Sequence, residues 1–203
     1  MRYSTTKIIL KPLFRPKFKE INGLSNLPQN GSFILAANHI DYLDGYFISF
    51  GLEIRKKLDI YFLSKTKNYW WAGSTLPIDP QDREKSLRQA VNYLQQGKII
   101  CNFIEGKRNP EKYLLEGRTG TARMALKARV PVIPVGITCP INRTFPGALA
   151  SLLTHNHQAI INIGQPISFE KYYGQDITKP LLIELTREVM KKISPLCGKA
   201  YSF

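Results

Sequence analysis

A histidine and an aspartate lie five positions apart where a predicted buried strand gives way to a helix. The apolar run at 32–37 predicts the strand, and His39 follows it closely. On a continuous helix, side chains five positions apart would point roughly 140° away from each other, so pairing His39 with Asp44 requires a turn. A histidine can take the proton of a hydroxyl group, and a carboxylate on its other ring nitrogen fixes the tautomer and stabilises the imidazolium. The spacing therefore indicates a general base that activates a hydroxyl nucleophile.

The same two residues also have a purely structural interpretation. Asp41 or Asp44 could cap a helix that runs to about Leu52, and the histidine could be an ordinary hydrogen-bond partner. A serine nucleophile is not indicated, because the chain has no Gly-x-Ser-x-Gly segment. If the pair is catalytic, we expect direct transfer to the hydroxyl without a covalent enzyme intermediate.

A second group of polar residues follows another predicted strand, at 98–103. Glu105 is followed by a turn at Gly106 and by two cations, Lys107 and Arg108. Ligands bind α/β proteins at strand ends, and a guanidinium can grip a phosphate with two hydrogen bonds while an ammonium adds a point charge. We expect Glu105 to orient Arg108 or other polar groups. A surface ion pair between Glu105 and Arg108 is the alternative.

Together these residues resemble the lysophosphatidate acyltransferase family, whose members acylate glycerol phosphates and other lipids. The first signature of that family, Asn-His followed by four residues and Asp, is matched completely by Asn38, His39 and Asp44. The Phe-Pro-Glu-Gly-Thr-Arg signature is matched except at Ile104 and Lys107.

Two later segments, 118–125 and 130–135, are similar to further blocks of the family, in which a basic residue and a glycine precede a helix and a proline-containing strand. The resemblance spans about residues 20–140. It implies a single α/β domain over 1–203, with a mixed central sheet flanked by helices, like that of glycerol-3-phosphate acyltransferases.

The resemblance also implies a reaction and a site. A fatty acyl group would pass from acyl-CoA or acyl carrier protein, as the donor substrate, to a hydroxyl of lysophosphatidate and give phosphatidate. No cofactor and no metal are expected, since the histidine pair at 155 and 157 lacks a nearby acidic or cysteine partner. His39 and Asp44 would be catalytic, and the substrate-binding residues would be Asn38, Glu105, Gly106, Lys107, Arg108 and Arg118.

One departure from the family keeps other acceptors open. Where the family usually has an arginine that binds the acceptor phosphate, the chain reads Pro77-Ile-Asp-Pro80, with Arg83 nearby. Glycerol phosphate, a glycolipid and a long-chain alcohol are therefore alternative acceptors for the same chemistry.

The chain is strongly basic, with 29 Lys and Arg residues against 15 Asp and Glu residues and a net charge of +14. Such a charge attracts phosphate-rich partners, among them anionic membranes, thioester carriers and nucleic acid. Nucleic acid is not expected, because no motif for binding it is recognisable. The rival hypothesis is a non-enzymatic basic protein that binds membrane or nucleic acid. The expected partners are a lysophospholipid or related lipid acceptor, the acyl donor and an anionic membrane surface.

Contact with a membrane is expected at its surface. The longest apolar runs, 33–37 and 130–137, are far shorter than the about 20 residues of a spanning helix. The three cysteines, an odd number without short spacing, indicate a reducing cytosol rather than a disulfide framework. Residues 1–20 mix basic and apolar side chains and predict either a solvated basic arm or a membrane-surface segment. The expected location is cytoplasmic, with peripheral association at the membrane surface.

The rest of the chain alternates strand and helix patterns, as in an α/β sheet covered by helices. Two prolines in the strand predicted at 130–137 favour an edge position or a strand end. The aromatic stretch 69–71 is expected to pack in the core or at an interface. Further strands are predicted at 59–64, 98–103 and 159–163, and further helices at 82–96, 119–128 and 179–193.

Overall fold

The structure is a computed structural model that describes residues 12–55, 60–64, 74–142, 144–154 and 157–203. Within these residues the strands are β1 (Phe18–Asn22), β2 (Ile34–Ala37), β3 (Ile60–Ser64), β4 (Ser74–Pro77), β5 (Ile99–Phe103), β6 (Val132–Thr138) and β7 (Ala159–Ile163). They form one seven-stranded sheet in the spatial order β1-β7-β6-β2-β5-β3-β4.

Helices cover both faces of this sheet. They are α1 (Asp44–Arg55), α2 (Arg83–Gln95), α3 (Gly120–Ala128), α4 (Phe145–Thr154) and α5 (Lys179–Cys197). α1 and α4 pack on one face, and α2, α3 and α5 pack on the other. Leu35 and Ala37 of β2 point towards the first layer and Ile34 and Ala36 towards the second, because side chains alternate along a strand. All of β2 is therefore buried.

The direction of the strands confirms the predicted mixed sheet in an α/β fold. The neighbouring strands β6, β2, β5, β3 and β4 run parallel, whereas β7 is antiparallel to β6 and β1 is parallel to β7. Ala37 at the end of β2 pairs with Phe103 at the end of β5. The loops that follow these two strands therefore leave the sheet side by side, and the two polar groups singled out in the sequence meet there.

Several predicted elements lie close to the observed ones. α2 begins after Asp82, whose side chain accepts the N–H of Lys85 at 2.8 Å, and it is followed by Gly97 in a left-handed conformation with φ of 79°. The strand predicted at 159–163 is β7 without change. The final helix continues beyond its predicted end, to Cys197. Within the described residues, no helix is long and apolar enough to cross a membrane.

The position of β6 corrects one expectation. Its prolines favoured an edge position or a strand end. Pro131 does lie just before the strand, but β6 is inside the sheet, between β2 and β7. Val132 pairs with Ile167 and Val135 pairs with Ile163, so three residue steps along β6 correspond to four along the opposing chain. Pro134 lies within this irregularity of the register, where the missing N–H of a proline is tolerated.

Part of the predicted N-terminal arm belongs to the folded domain. Phe14 is buried against the rings of Tyr46 and Phe50, with centroid distances of 5.6 and 4.9 Å. β1 then begins at Phe18 and pairs with β7. Residues 12–20 are therefore part of the folded body, and residues 1–11 of the predicted arm lie outside the described residues.

Three elements were missed by the sequence analysis, namely β1, β4 and α4. β4 is four residues long and ends in a proline, and α4 carries Pro146 and Gly147 in its first turn, both of which have poor helix propensity. The aromatic stretch 69–71 and His155 lie outside the described residues, so their predictions stay predictions.

Candidate active site

The loop from Asn38 to Asp44, here called the histidine turn, connects β2 to α1. Nδ1 of His39 lies 2.7 Å from Oδ2 of Asp44, the first residue of α1. The same oxygen accepts the backbone N–H groups of Ile40 at 2.6 Å and Asp41 at 2.9 Å. The predicted pairing of histidine and aspartate through a turn is therefore present, and one carboxylate oxygen fixes both the ring and the backbone that carries it.

The imidazole of His39 is held between the protein and a cleft. One face stacks on Phe103 at the end of β5, with 4.1 Å between ring centroids and an angle of 15° between the planes. The side chain is 21% exposed, whereas that of Asp44 is fully buried. Because Nδ1 is used by Asp44, Nε2 is the nitrogen that remains for a ligand in the cleft.

The buried thiol of Cys139 supports the histidine turn through Asp44. The Sγ of Cys139 donates to Oδ1 of Asp44 at 3.6 Å. Burial, with the nearby negative charge of Asp44 adding to it, raises the pKa of Cys139 well above its ordinary value, so the thiol stays a protonated donor. Sequence reasoning did not connect Cys139 with the site, since it lies 95 residues away along the chain.

Asp41 ties the histidine turn to the segment between β6 and α4. Its Oδ1 accepts the N–H of Leu43 at 3.0 Å, and its Oδ2 accepts both the backbone N–H and the side-chain amide of Asn142, at 2.7 and 3.1 Å. Burial raises the pKa of Asp41, and the charge of Asp44 raises it further, while the hydrogen bonds oppose this shift. The sequence suggested Asp41 as a helix cap, but not this link to Asn142.

Glu105 is a buried support of the two loops and does not line the cleft, so its predicted role in binding the substrate stays a prediction. It is 3% exposed. Oε1 accepts the backbone N–H of His39 at 3.2 Å, and Oε2 accepts the side-chain amide of Asn109 at 2.6 Å and the N–H of Leu115 at 2.9 Å. The sequence analysis expected Glu105 to orient Arg108 or other polar groups. In the structure its carboxylate orients backbone and amide groups of the two loops, and none of these bonds is to Arg108.

Asn38 likewise points into the protein. It is fully buried, its side-chain amide donates to the carbonyl of Ile137 at 3.0 Å, and its Oδ1 accepts the N–H of Ile137 at 2.8 Å. These two bonds fasten the end of β2 to β6. Asn38 thus positions the end of β2 and does not line the cleft, and its contact with substrate stays a prediction.

Gly106, Lys107 and Arg108, here called the cation loop, line the cleft together with His39. Lys107 and Arg108 are exposed. The guanidinium of Arg108 lies 3.3 Å from the centroid of the Tyr42 ring, a cation–π contact that joins the cation loop to the histidine turn.

Arg118 packs against the cation loop from outside the cleft. Its backbone N–H donates to the carbonyl of Ile104 at 2.8 Å. Gly106 has a φ of 71°, and a Cβ at this position would overlap the side chain of Arg118. The positive φ therefore favours glycine here, and a larger residue would also have to displace the side chain of Arg118. The exposed Arg118 contributes a third cation beside Lys107 and Arg108.

Away from the cations the cleft, of about 400 Å³, is largely apolar. Ile78 lies within the stretch where an acceptor-binding arginine was sought, and it lines the cleft with an apolar side chain, whereas Arg83 is not among the lining residues. The cleft therefore has one cationic and one apolar region. The other lining residues are Tyr42, Gly45, Tyr46, Phe62, Leu63, Ser64, Thr75, Asn102 and Phe103.

Lys199 is a further residue near the site that the sequence did not indicate. Its Nζ donates to the carbonyl of Asn109 at 2.5 Å, across 90 residues of chain. Partial burial lowers the pKa of Lys199, and the charge of Glu105 opposes this effect. Lys199 thus places a positive charge near the buried Glu105 and holds the chain that follows the cation loop.

Of the two histidines at 155 and 157, the structure describes His157, which contacts the start of the chain's described part. The backbone N–H of His157 donates to the carbonyl of Pro16 at 2.9 Å, and its ring nitrogen Nδ1 lies 3.3 Å from the carbonyl oxygen of Phe18. His157 therefore fastens the residues before β7 to the start of β1.

The family model described as "Acyltransferase" matches residues 19–138, more than half of the chain. The chain belongs to this acyltransferase family. The predicted enzyme class, an O-acyltransferase, is confirmed, and the matched range agrees with the span of about 20–140 over which the sequence resembled the family. Both the histidine turn and the cation loop of this acyltransferase lie within the matched residues.

Curated relatives of the acyltransferase include the 1-acyl-sn-glycerol-3-phosphate acyltransferase of Escherichia coli K12, which is 29% identical over 196 residues, covering 92% of this chain and 77% of the relative. The chloroplastic 1-acyl-sn-glycerol-3-phosphate acyltransferase BAT2 of Brassica napus is 27% identical over 161 residues, or 73% of this chain. The match covers 44% of that longer plant protein.

A solved structure has the same fold. The crystal structure of the 1-acyl-sn-glycerophosphate acyltransferase PlsC from Thermotoga maritima superposes with a TM-score of 0.61 and 19% sequence identity, covering 95% of this chain and 82% of that one. At this identity the likeness supports the fold of the acyltransferase and no finer property.

Proposed function

We propose that this protein transfers a fatty acyl group from the thioester of acyl-CoA or acyl carrier protein to a hydroxyl of lysophosphatidate, giving phosphatidate in phospholipid biosynthesis. The observation that carries the proposal is the His39–Asp44 pair, whose histidine lines a cleft together with two cations and mainly apolar residues. Relatives described as 1-acyl-sn-glycerol-3-phosphate acyltransferases support the choice of acceptor.

In the proposed reaction, Nε2 of His39 takes the proton of the acceptor hydroxyl as its oxygen attacks the thioester carbonyl. The new carbon–oxygen bond forms, the carbon–sulfur bond breaks, and the imidazolium returns the proton to the departing thiolate. The products are an ester and a free thiol. Asp44 keeps Nδ1 protonated and stabilises the imidazolium; a general base of this kind contributes about 10²- to 10⁴-fold in rate.

The cations define where the acceptor phosphate would bind. Lys107 and Arg108 line the same cleft as His39, and Arg118 packs directly behind Gly106. A phosphate held there would place the rest of a lysophosphatidate within the cleft, with its acyl chain towards the apolar lining residues such as Phe62 and Ile78. A phosphate-free alcohol would leave the cations without a partner, which is why we favour the phosphorylated acceptor over a glycolipid or an alcohol.

The proposal requires no cofactor and no metal, because the histidine and the thioester supply the chemistry between them. It places the protein peripherally at the cytoplasmic surface of a membrane. The net charge of +14 supports attraction to anionic lipid, and a lipid acceptor is itself delivered from a bilayer.

The test is release of free thiol from acyl-CoA and from acyl carrier protein, with lysophosphatidate, glycerol phosphate or a long-chain alcohol as acceptor. We expect release that depends on lysophosphatidate and is abolished in His39→Ala. His157→Ala is the matched control, since this exposed histidine contacts Phe18 rather than the cleft, and it should keep the wild-type rate. Wild-type turnover in a folded His39→Ala variant would reject the proposed base, and turnover with the alcohol alone would reject the proposed acceptor.

A further inference from the structure

α4 has an unusual composition for a helix at the surface of a protein. Its ten residues include no charged side chain. Ala148 and Leu152 are buried against the sheet, but Leu149 on the opposite side is 42% exposed and Leu153 is 80% exposed. Surface helices normally carry charged or polar residues on the solvent side. An apolar solvent side marks a surface that meets another apolar phase or partner.

The exposed apolar surface of α4 is continued by its neighbours. Pro146 and Ala150 are exposed and lie one helical turn from Leu149 and Leu153. Ile141, on the segment before the helix, is 49% exposed. We call this group, consisting of Ile141, Pro146, Leu149, Ala150 and Leu153, the α4 patch.

The α4 patch lies next to the cationic end of the cleft. Phe145 at the start of α4 contacts the ring of Tyr42 edge to face, with 5.8 Å between centroids. Tyr42 lines the cleft and carries the guanidinium of Arg108 on its ring. An apolar surface and the cations that would bind a phosphate are thus separated by two aromatic side chains.

A hydrogen-bonded chain also fixes α4 relative to the histidine turn. Oδ2 of Asp41 accepts from Asn142, and the side-chain amide of Asn142 lies 3.4 Å from the hydroxyl of Ser151 in α4. The orientation of α4 at a surface would therefore determine the orientation of the cleft at that surface.

We propose that the α4 patch docks into an anionic lipid bilayer and presents the cleft to acceptor molecules in that bilayer. This inference rests on the proposed function, because it concerns how that lipid acceptor reaches His39. Leucine side chains on one uncharged helix suit the boundary between head groups and acyl chains. Lys107 and Arg108, next to the patch, would lie among the anionic head groups.

Charge favours the bilayer over two other occupants. A second copy of the chain would bring a net charge of +14 against another of +14, and the α4 helix offers no acidic side chain to offset that repulsion. An acidic carrier protein could bind the cations of the cation loop, but its charged surface would not match the uncharged, apolar α4. Anionic lipid matches both the apolar helix and the cations beside it.

The binding test uses vesicles of equal parts phosphatidylcholine and phosphatidylglycerol. The variant Leu149→Glu/Leu153→Glu places two negative charges on the α4 patch, and we expect its affinity for these vesicles to fall about tenfold or more. The matched control is Ile177→Glu/Phe203→Glu, which adds the same charges at exposed apolar positions outside the patch and should bind within about twofold of wild type. Circular dichroism of both variants verifies the fold.

An activity test separates docking from chemistry. We expect Leu149→Glu/Leu153→Glu to keep the wild-type rate with a short-chain lysophosphatidate dissolved as monomers, and to lose most of its rate with a long-chain lysophosphatidate held in the vesicles. If the wild type is inactive with both acceptors, the proposed function fails while the vesicle-binding result still decides the docking surface. Unchanged vesicle binding by the patch variant overturns the inference. So does conversion of a wild-type dimer to a monomer in that variant without loss of vesicle binding, because the patch would then be an interface between copies.

Discussion

The histidine turn and the cation loop face the same cleft, but they are built in opposite ways. The fully buried Asp44 fixes the position of His39 in the histidine turn. One of its carboxylate oxygens takes part in three hydrogen bonds, and the other accepts the thiol of Cys139. In the loop, Lys107 and Arg108 are exposed, and the ring of Tyr42 is what Arg108 rests on. A base must be held in one orientation to act on a proton, whereas a charged phosphate can be gripped by side chains that adjust to it.

The buried Glu105 explains how these two regions keep their relative position. One carboxylate oxygen holds the backbone of His39, and the other holds Asn109 and Leu115 just beyond the cation loop. Lys199 holds the same segment through the carbonyl of Asn109. The rigid and the adaptable parts of the site are therefore joined by the buried Glu105 and the partly buried Lys199, neither of which lines the cleft.

The largest loss of activity is expected when the histidine turn is altered by Asp44→Asn. An amide has one acceptor oxygen in place of two and would no longer hold the required tautomer of His39, so kcat should fall about 10³-fold or more. Thiol release in single turnovers measures this. Asp41→Asn is the matched control, since Asp41 is also buried in the turn but contacts Leu43 and Asn142 rather than His39. Equal losses in both variants would mean that the turn, not the pair, is what matters.

An intermediate effect, on KM for the acceptor, is expected from substitutions in the cation loop. Lys107→Ala/Arg108→Ala removes two charge-assisted contacts to the acceptor, so KM for lysophosphatidate should rise about 10- to 100-fold with a smaller change in kcat. Thermal unfolding should be nearly unchanged because both side chains are exposed. Steady-state kinetics over a range of acceptor concentrations measure the two constants separately.

The comparison for that variant is Lys85→Ala/Arg88→Ala, which removes the same charge from exposed positions on α2, in the opposite helix layer. Its KM should stay close to the wild-type value. A similar rise in KM in both variants would show that net charge, rather than the position of the cation loop, attracts the acceptor.

The smallest effect concerns the pH dependence of stability at Asp41. Burial raises its pKa in the folded state, so the folded protein retains this proton to higher pH than the unfolded chain does. The stabilising contribution of the group is complete below the unfolded pKa of about 3.9 and is lost as pH rises through the raised folded value. Asp41→Asn cannot titrate, and we expect its Tm to decline less between acidic and neutral pH, by on the order of a few degrees.

Calorimetry of wild type and Asp41→Asn at several pH values checks this sign. Parallel curves for wild type and Asp41→Asn would contradict the expected raised pKa.

Local patterns in the sequence predicted the parts of the fold that depend on neighbouring residues. The apolar run before His39 gave the central strand β2, and the cap and glycine around 82–97 gave the limits of α2. Periodicity failed for α4, whose apolar residues occur on both its buried and its exposed sides. A helix that is apolar all round offers no stripe from which a buried face can be recognised.

For the site itself, the sequence by itself determined that His39 and Asp44 must meet through a turn, because their spacing of five excludes a shared helix face. It also determined that two cations follow a glycine at a strand end. Both results depend on short stretches of chain. Both lie within the residues that match the family model, and they indicate the chemistry.

Only the tertiary structure decided which polar residues face the cleft and which turn inward. Asn38 bonds to Ile137 across 99 residues, Glu105 to His39 across 66, and Asp41 to Asn142 across 101. The type and spacing of a residue do not reveal such partners, since the sheet order that brings them together is set by packing of the whole domain. That packing keeps Asn38 and Glu105 out of the lining of the cleft, and it leaves apolar side chains of α4 exposed.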